Sequence, residues 1–71
     1  MEEKYYKILA DNLRVERARK NFSQQHLAIL SGISIETIGA IERMQANPTI
    51  DTLVCIANAL NVDLNTLLPL K

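Results

Sequence analysis

The sequence predicts an all-α protein, a compact bundle of five short helices. Apolar residues recur at intervals of three and four along most of the chain, which is the period of a helix with one buried face. Residues that commonly cap helices divide this pattern into short segments, and no alternation of strand type extends beyond a few residues. With 71 residues, of which 48% are hydrophobic, the chain (1–71) is expected to be a single domain near the lower size limit for folding on a hydrophobic core.

The first two helices are predicted over about 3–20 and 24–30. Asn21 is expected to close the first helix because asparagine tolerates the left-handed conformation. Ser23 is a candidate N-cap for the second helix, which has to stop near Gly32. The apolar stripe of the first helix comprises Tyr6, Leu9, Ala10 and Leu13.

Three further helices are predicted over about 35–43, 50–60 and 64–68. Pro69 ends the last of them because proline cannot continue a helix. The candidate N-cap residues of the three helices are Ser34, Thr49 and Asp63. The buried stripe of the fourth helix is expected to comprise Leu53, Ile56, Ala57 and Leu60. All connections are short, which favours one shared core.

The charge of the chain is segregated. The net charge is zero, but residues 14–20 (RVERARK) carry four basic side chains against one acidic side chain. Such a cluster can contact phosphate groups. The cluster is equally typical of a solvated helix C-terminus, where basic side chains interact favourably with the negative end of the helix dipole. The sequence leaves both interpretations open.

The chain offers no sign of export or membrane insertion. Its one cysteine cannot form an internal disulfide, so a reducing compartment is the default. No apolar run is long enough to cross a bilayer, and the first residues lack the basic and apolar regions of a signal peptide. We therefore expect a cytoplasmic protein.

A turn containing glycine, residues 31–33, joins the second and third helices, and this arrangement describes a helix-turn-helix. Residues 22–62, FSQQHLAILSGISIETIGAIERMQANPTIDTLVCIANALNV, resemble the Xre/Cro/phage-repressor family of helix-turn-helix transcriptional regulators. The shared elements are Ser23-Gln24, Leu27-Ala28, Gly32-Ile33-Ser34, Ile38, Ile41-Glu42, Asn47-Pro48 and the apolar run that ends at Val62. The resemblance spans about residues 9–68 and implies a lambda-repressor-like DNA-binding domain.

In such domains the third helix enters the major groove while the second crosses the DNA backbone. The resemblance assigns the first contact to Gln24, at a helix N-terminus whose free N–H groups attract phosphate; two merely solvated glutamines are the alternative. Ten residues are expected to contact DNA: Gln24, Gln25, Ser34, Ile35, Glu36, Thr37, Ala40, Arg43, Gln45 and Asn47.

The outward residues of the third helix suit contacts to base edges. Ile35 and Ala40 can touch a thymine methyl, and Glu36 can accept a hydrogen bond from cytosine N4. An arginine, asparagine or glutamine for bidentate readout of guanine or adenine is missing from this set, so direct specificity should be modest. Gly39 is expected either to give a flat surface that lets the backbone approach the groove or simply to be tolerated.

Two features bear on how the third helix is held. In the family, an arginine late in the first helix pairs with the glutamate that ends the third, and Arg17 and Glu42 occupy those positions here. Met44 stands where the family usually has glycine; if the backbone there is left-handed, methionine costs about 1 kcal/mol.

No residues point to catalysis, and neither a metal, a cofactor nor a small-molecule ligand is expected. His26 has no second ligand at metal-binding spacing, and Cys55 is expected to fill space in the core. The chain lacks a nucleophile with its base and lacks a glycine loop for phosphate.

The sequence therefore predicts a DNA-binding regulator of transcription, a repressor or controller that acts as a homodimer. Dimerisation is expected through helices 4 and 5 over a palindromic operator in double-stranded DNA, since more apolar surface is present than one small core needs. Extra packing within a monomer is the alternative reason for that surface. A competing function is an antitoxin-like protein-interaction module that keeps the fold without strong DNA binding, which the zero net charge favours.

Overall fold

Short helices follow one another with tight turns in a computed structural model that describes residues 1–70. The helices are α1 (Glu3–Lys20), α2 (Gln24–Ser31), α3 (Ile35–Glu42), α4 (Ile50–Leu60) and α5 (Leu64–Leu67). Residues 1–70 contain no strand, so the predicted fold class, an all-α five-helix bundle, is confirmed. The Cα radius of gyration is 10.7 Å, close to the roughly 11 Å expected for a compact domain of this length.

Three predicted helix ends differ from the observed ends by one residue. The second helix continues to Ser31 because Gly32, at φ 74°, forms the left-handed cap. The third ends at Glu42 rather than at residue 43, since the chain turns into a left-handed residue at Met44. The fifth ends at Leu67 rather than at residue 68, because Leu68 precedes proline and its backbone is not helical, with φ −142° and ψ 79°.

Side-chain caps define most of the helix starts. The hydroxyl oxygens of Ser23, Ser34 and Thr49 each accept a hydrogen bond from the N–H three residues on, which satisfies one donor left free by the helix geometry. Asp63 occupies the N-cap position of α5 without such a bond. Asn21 and Asn61 close α1 and α4 in the left-handed conformation.

The core lies where all five helices meet. α3 packs on α1 and α2, and α4 lies against α2 and α5. The third helix is therefore supported on its inner side by two neighbours, while its opposite side faces outward. The core cluster comprises Leu9, Leu13, Leu27, Ile38, Ile41, Leu53, Ile56, Ala57, Leu60, Leu67 and Leu68.

None of the helices formed by residues 1–70 combines the length and the apolar character that crossing a membrane requires.

Candidate nucleic-acid interface

The carboxylate of Glu42, at the end of α3, is the centre of a buried polar network. Arg17 on α1 donates from Nε to Oε2 at 2.7 Å and from Nη2 to Oε1 at 2.8 Å. Gln24, the first residue of α2, donates from Nε2 to Oε1 at 3.1 Å. The Glu42 side chain is only 5% exposed. One carboxylate therefore ties together the first three helices.

Two arginines of α1 hold the C-terminal end of α3. Arg17 also donates from Nη1 to the carbonyl oxygen of Phe22 at 2.9 Å, which fixes the guanidinium between α1 and the turn before α2. Arg14 donates from Nη2 to the carbonyl oxygen of Glu42, one of the carbonyls that a helix end leaves without an intrahelical donor. The sequence pattern does not predict this role of Arg14, although Arg14 lies one helical turn before Arg17.

The network keeps Glu42 ionised. Burial alone raises the pKa of this carboxyl, but the hydrogen bonds from Arg17 and Gln24, together with the charges of Arg17 and Arg14, outweigh burial and leave the pKa below its ordinary value. The hydrogen bonds to Glu42 raise the pKa of Arg17 in turn, against the opposing effect of its own burial. The pair therefore stays charged at neutral pH.

The outer side of α3 is open. Ser34, Ile35, Glu36 and Arg43 are exposed, and Thr37 and Ala40 are partly exposed, whereas Ile38 and Ile41 are fully covered by the core. The Ser34 hydroxyl donates to Thr37 Oγ1 at 2.9 Å, so the Thr37 hydroxyl proton remains available to another acceptor.

Gly39 does not lie on the open surface, which corrects one of the two expectations about it. The residue is buried, and a Cβ built on it would lie 2.9 Å from Nη1 of Arg43 and 3.7 Å from Oε1 of Gln24. The missing side chain thus makes room for the two polar side chains. Only Ala40 contributes to a flat exposed surface.

The N-terminus of α2 lies beside this surface. The first-turn N–H groups of a helix have no intrahelical acceptor, and they carry the positive end of the dipole. Gln25 is exposed, whereas Gln24 is half-buried and its amide nitrogen is already committed to Glu42. The backbone N–H groups and the side-chain N–H groups of Gln25 are what this end offers to an anion, because the amide oxygen of Gln24 can only accept hydrogen bonds.

The loop after α3 takes a left-handed turn at Met44, where φ is 62°. The Met44 N–H donates to the Ile41 carbonyl at 3.0 Å and the Gln45 N–H donates to the Ala40 carbonyl at 2.8 Å. This pair of bonds is the Schellman motif that usually has glycine in the left-handed position. The loop thus keeps the path that glycine would favour, with Gln45 and Asn47 exposed beside it.

The basic cluster 14–20 is neither simply a set of phosphate contacts nor simply a solvated helix end, the two interpretations that the sequence left open. Arg14 and Arg17 converge on Glu42, and Arg19 lies 3.8 Å from the Glu16 carboxylate. Within residues 1–70, Lys20 is the only cation of the cluster without a carboxylate inside 4 Å. Arg14 and Arg17 therefore fix α3, and the cluster does not present four free charges.

His26 and Cys55 are the two residues for which the sequence predicts no functional chemistry, and both side chains are exposed. The ring centroid of His26 lies 4.4 Å from that of Phe22. Among residues 1–70, no group of three or more histidine, cysteine, aspartate or glutamate side chains could hold a metal ion. Cys55 is exposed, so the expectation that it fills the core is wrong. It falls between the buried positions Leu53 and Ile56, on the outer side of α4, because residues two apart on a helix face different ways.

The fold and the supported third helix define a small helix-turn-helix domain. Residues 13–67 match the family HTH_3, described as helix-turn-helix. Control protein C.SmaI of Serratia marcescens is 44% identical over 61 residues, which cover 86% of this chain and 73% of that protein. The chain also resembles the crystal structure of the restriction-modification controller protein C.AhdI from Aeromonas hydrophila, with a TM-score of 0.84 and 32% identity over 87% of this chain and 94% of the other.

The HTH-type transcriptional regulator SutR of Escherichia coli (strain K12) is 37% identical over 60 residues, and the match spans 84% of this chain but only 34% of SutR. The chain belongs to the helix-turn-helix family HTH_3. This is a family of DNA-binding transcriptional regulators, not of enzymes.

Proposed function

We propose that this chain is a homodimeric regulator that binds a specific double-stranded DNA sequence with α3 in the major groove. The observation that carries the proposal is the contrast between the two sides of α3. The inner side is fixed to α1 and α2 through Ile38, Ile41 and the Glu42 network, while the outer side is open. A helix can read base edges when its position is fixed and its outer side chains are free.

The outer side chains of α3 divide into two kinds of contact. Ile35, which is 40% exposed, and Ala40 suit thymine methyl groups. Glu36 is an acceptor for cytosine N4, and the Thr37 hydroxyl can donate to a base or to a phosphate. Since direct contacts of this kind are few, phosphate contacts have to supply much of the affinity.

Phosphate contacts are proposed on both sides of α3. On one side lies the N-terminus of α2, with Gln24 and Gln25. On the other side lies the loop with Gln45 and Asn47, followed by the N-terminus of α4. Backbone N–H groups and amides position a protein on DNA without reading its sequence.

A homodimer through α4 and α5 accounts for the exposed apolar residues at that end. Ile50 and Leu70 are each 64% exposed and Val54 is 39% exposed. Burial of these apolar side chains against a second copy would lower the free energy, which favours association. A two-fold dimer would set two copies of α3 roughly 34 Å apart, one turn of DNA, over a palindromic operator. Dimerisation also doubles a set of phosphate contacts that is small in one protomer.

The likeness to C.SmaI and C.AhdI supports a controller role, in which the protein occupies an operator in the cytoplasm and changes transcription there. C.AhdI is described as a restriction-modification controller. We propose the same class of role for this chain.

Binding to duplex DNA over a salt series tests the proposal. The logarithm of the affinity should fall linearly with the logarithm of salt concentration, with a slope set by the phosphates contacted. Gln24→Ala should weaken binding to all duplexes alike, and Thr37→Ala should change the preference among duplexes. The reverse pattern in the two variants would mean that the assignment of α3 to the groove is wrong.

The second candidate is a protein-interaction module. The engagement of Arg14 and Arg17 by Glu42 favours it, because both cations are lost as free phosphate contacts, and so does the exposed carboxylate of Glu36. A salt slope near zero, with equally weak retention of every duplex, would support this candidate against the regulator.

A further inference from the structure

Residues 39 and 40 of α3 are glycine and alanine, so this part of the helix has no long side chain of its own. The space at Gly39 is nevertheless occupied. The Arg43 guanidinium lies so close to the Gly39 backbone that a Cβ there would be 2.9 Å from Nη1. Side chains of a helix point towards its N-terminus, and Arg43 accordingly runs back over the preceding turn instead of extending beyond the end of α3.

A second contact sets the orientation of this guanidinium. Nε of Arg43 donates to Oε1 of Gln45 at 3.0 Å, and Arg43 is exposed. None of the carboxylates in residues 1–70 lies within 4 Å of it, in contrast to Arg14 and Arg17. Nε is thus occupied, whereas neither terminal nitrogen of the exposed Arg43 side chain has a hydrogen-bond partner among residues 1–70, so both remain donors for a ligand.

We propose that Arg43 reads guanine in the major groove, and that Gly39 and Gln45 are the residues that position it. This inference rests on the proposed function. A terminal guanidinium edge matches the two acceptors of guanine, O6 and N7, and this bidentate pairing discriminates guanine from the other bases. α3 itself has no side chain for bidentate readout of guanine, and the C-cap residue Arg43 supplies one by lying in the space that Gly39 leaves.

The test begins with duplexes selected from a random pool by the wild-type protein. Each guanine in the selected half-site is replaced by adenine, and the affinity of every duplex is measured for the wild type, Arg43→Ala and Gly39→Ala. One guanine position should cost the wild type about 5- to 150-fold when replaced. Arg43→Ala should bind the two duplexes of that pair alike, and it should keep the wild-type preference at all other positions.

Arg19→Ala is the matched control because it removes the same charge from an exposed arginine on α1. It should leave the guanine preference intact. Gly39→Ala should weaken the guanine preference by pushing Nη1 away while it raises Tm, since alanine favours a helix interior over glycine. A glycine that served only the fold would not change base preference.

Four results would overturn the inference. Arg43→Ala could weaken all duplexes equally and reduce the salt slope by about one, as a phosphate contact does. Gly39→Ala could keep the full guanine preference, which would remove Gly39 as a positioning residue. If the wild type binds no duplex in a salt-dependent way, the proposed function itself fails; salt-dependent binding without any guanine preference would refute only the role of Arg43.

Discussion

Replacing Glu42 with alanine removes the acceptor shared by Arg17 and Gln24. Arg17 would keep its bond to the Phe22 carbonyl but lose both bonds to a carboxylate. Breaking a buried ion pair by removing one partner costs about 3–5 kcal/mol, because the other charge is left without compensation. Arg17 is 19% exposed and retains some contact with water, so we expect the lower end, about 3 kcal/mol.

This loss is large for such a small domain. For a protein of this size, each kcal/mol corresponds to about 4–8 °C in Tm, so Glu42→Ala should melt roughly 12–24 °C below the wild type. Glu36→Ala is the matched control, since it removes the same side chain from the exposed side of the same helix. Its free energy of unfolding should change by less than about 0.5 kcal/mol.

Thermal melting followed by far-UV circular dichroism measures both variants, and urea unfolding at low temperature covers the case in which Glu42→Ala is only marginally folded. Equal melting shifts for the two variants would refute the reasoning. A double variant, Arg17→Met with Glu42→Leu, separates a stranded charge from lost packing. It should be more stable than Glu42→Ala because no charge remains unpaired; a double variant that is less stable would assign the loss to packing.

Three further predictions concern the same fold. Since the folded-state pKa of Glu42 is lowered, its stabilisation is complete above the unfolded carboxyl pKa and is lost as pH falls through the folded value; the Tm difference between wild type and Glu42→Gln should therefore shrink as pH falls below about 4.5, the ordinary pKa of this carboxyl. Met44→Gly should raise the stability by about 0.5–1 kcal/mol by relieving the left-handed residue, whereas Met44→Ala should give no gain, and urea unfolding compares them. Ile50→Glu with Val54→Glu should convert the dimer into a monomer with an unchanged helical spectrum, as measured by sedimentation; a wild type that is monomeric at all concentrations would remove the dimer proposal.

The helix boundaries could be predicted because their signals are local. Ser23, Ser34 and Thr49 cap helices through bonds to residues only three positions away, and Asn21 and Asn61 close helices through their own backbone conformation. Capping preferences depend on residue type and position, which the sequence contains. The one-residue differences at the helix ends lie within the usual fraying of such boundaries.

The features that the sequence did not reveal depend on contacts between helices. Gly39 is buried because side chains from α2 and from the end of α3 cover it, and no local pattern marks that. The Gln24 amide turns inward because Glu42, eighteen positions away, accepts a hydrogen bond from its Nε2. The apolar neighbours of Cys55 predict a place in the core, but residues 53, 56, 57 and 60 already complete the buried stripe of α4.

The network at Glu42 also explains how a chain with zero net charge can be suited to DNA. Net charge counts every ionised group equally, but a phosphate backbone interacts most with charges that face it. The Glu42 carboxylate is 5% exposed and its charge is compensated by Arg17 and Arg14, so it repels DNA far less than an exposed carboxylate would. Among the outward residues of α3 and its two cap positions, Glu36 is the only acid and Arg43, the C-cap, is the only base. The balance between these two side chains, rather than the total charge, should therefore decide which base pairs the helix accepts.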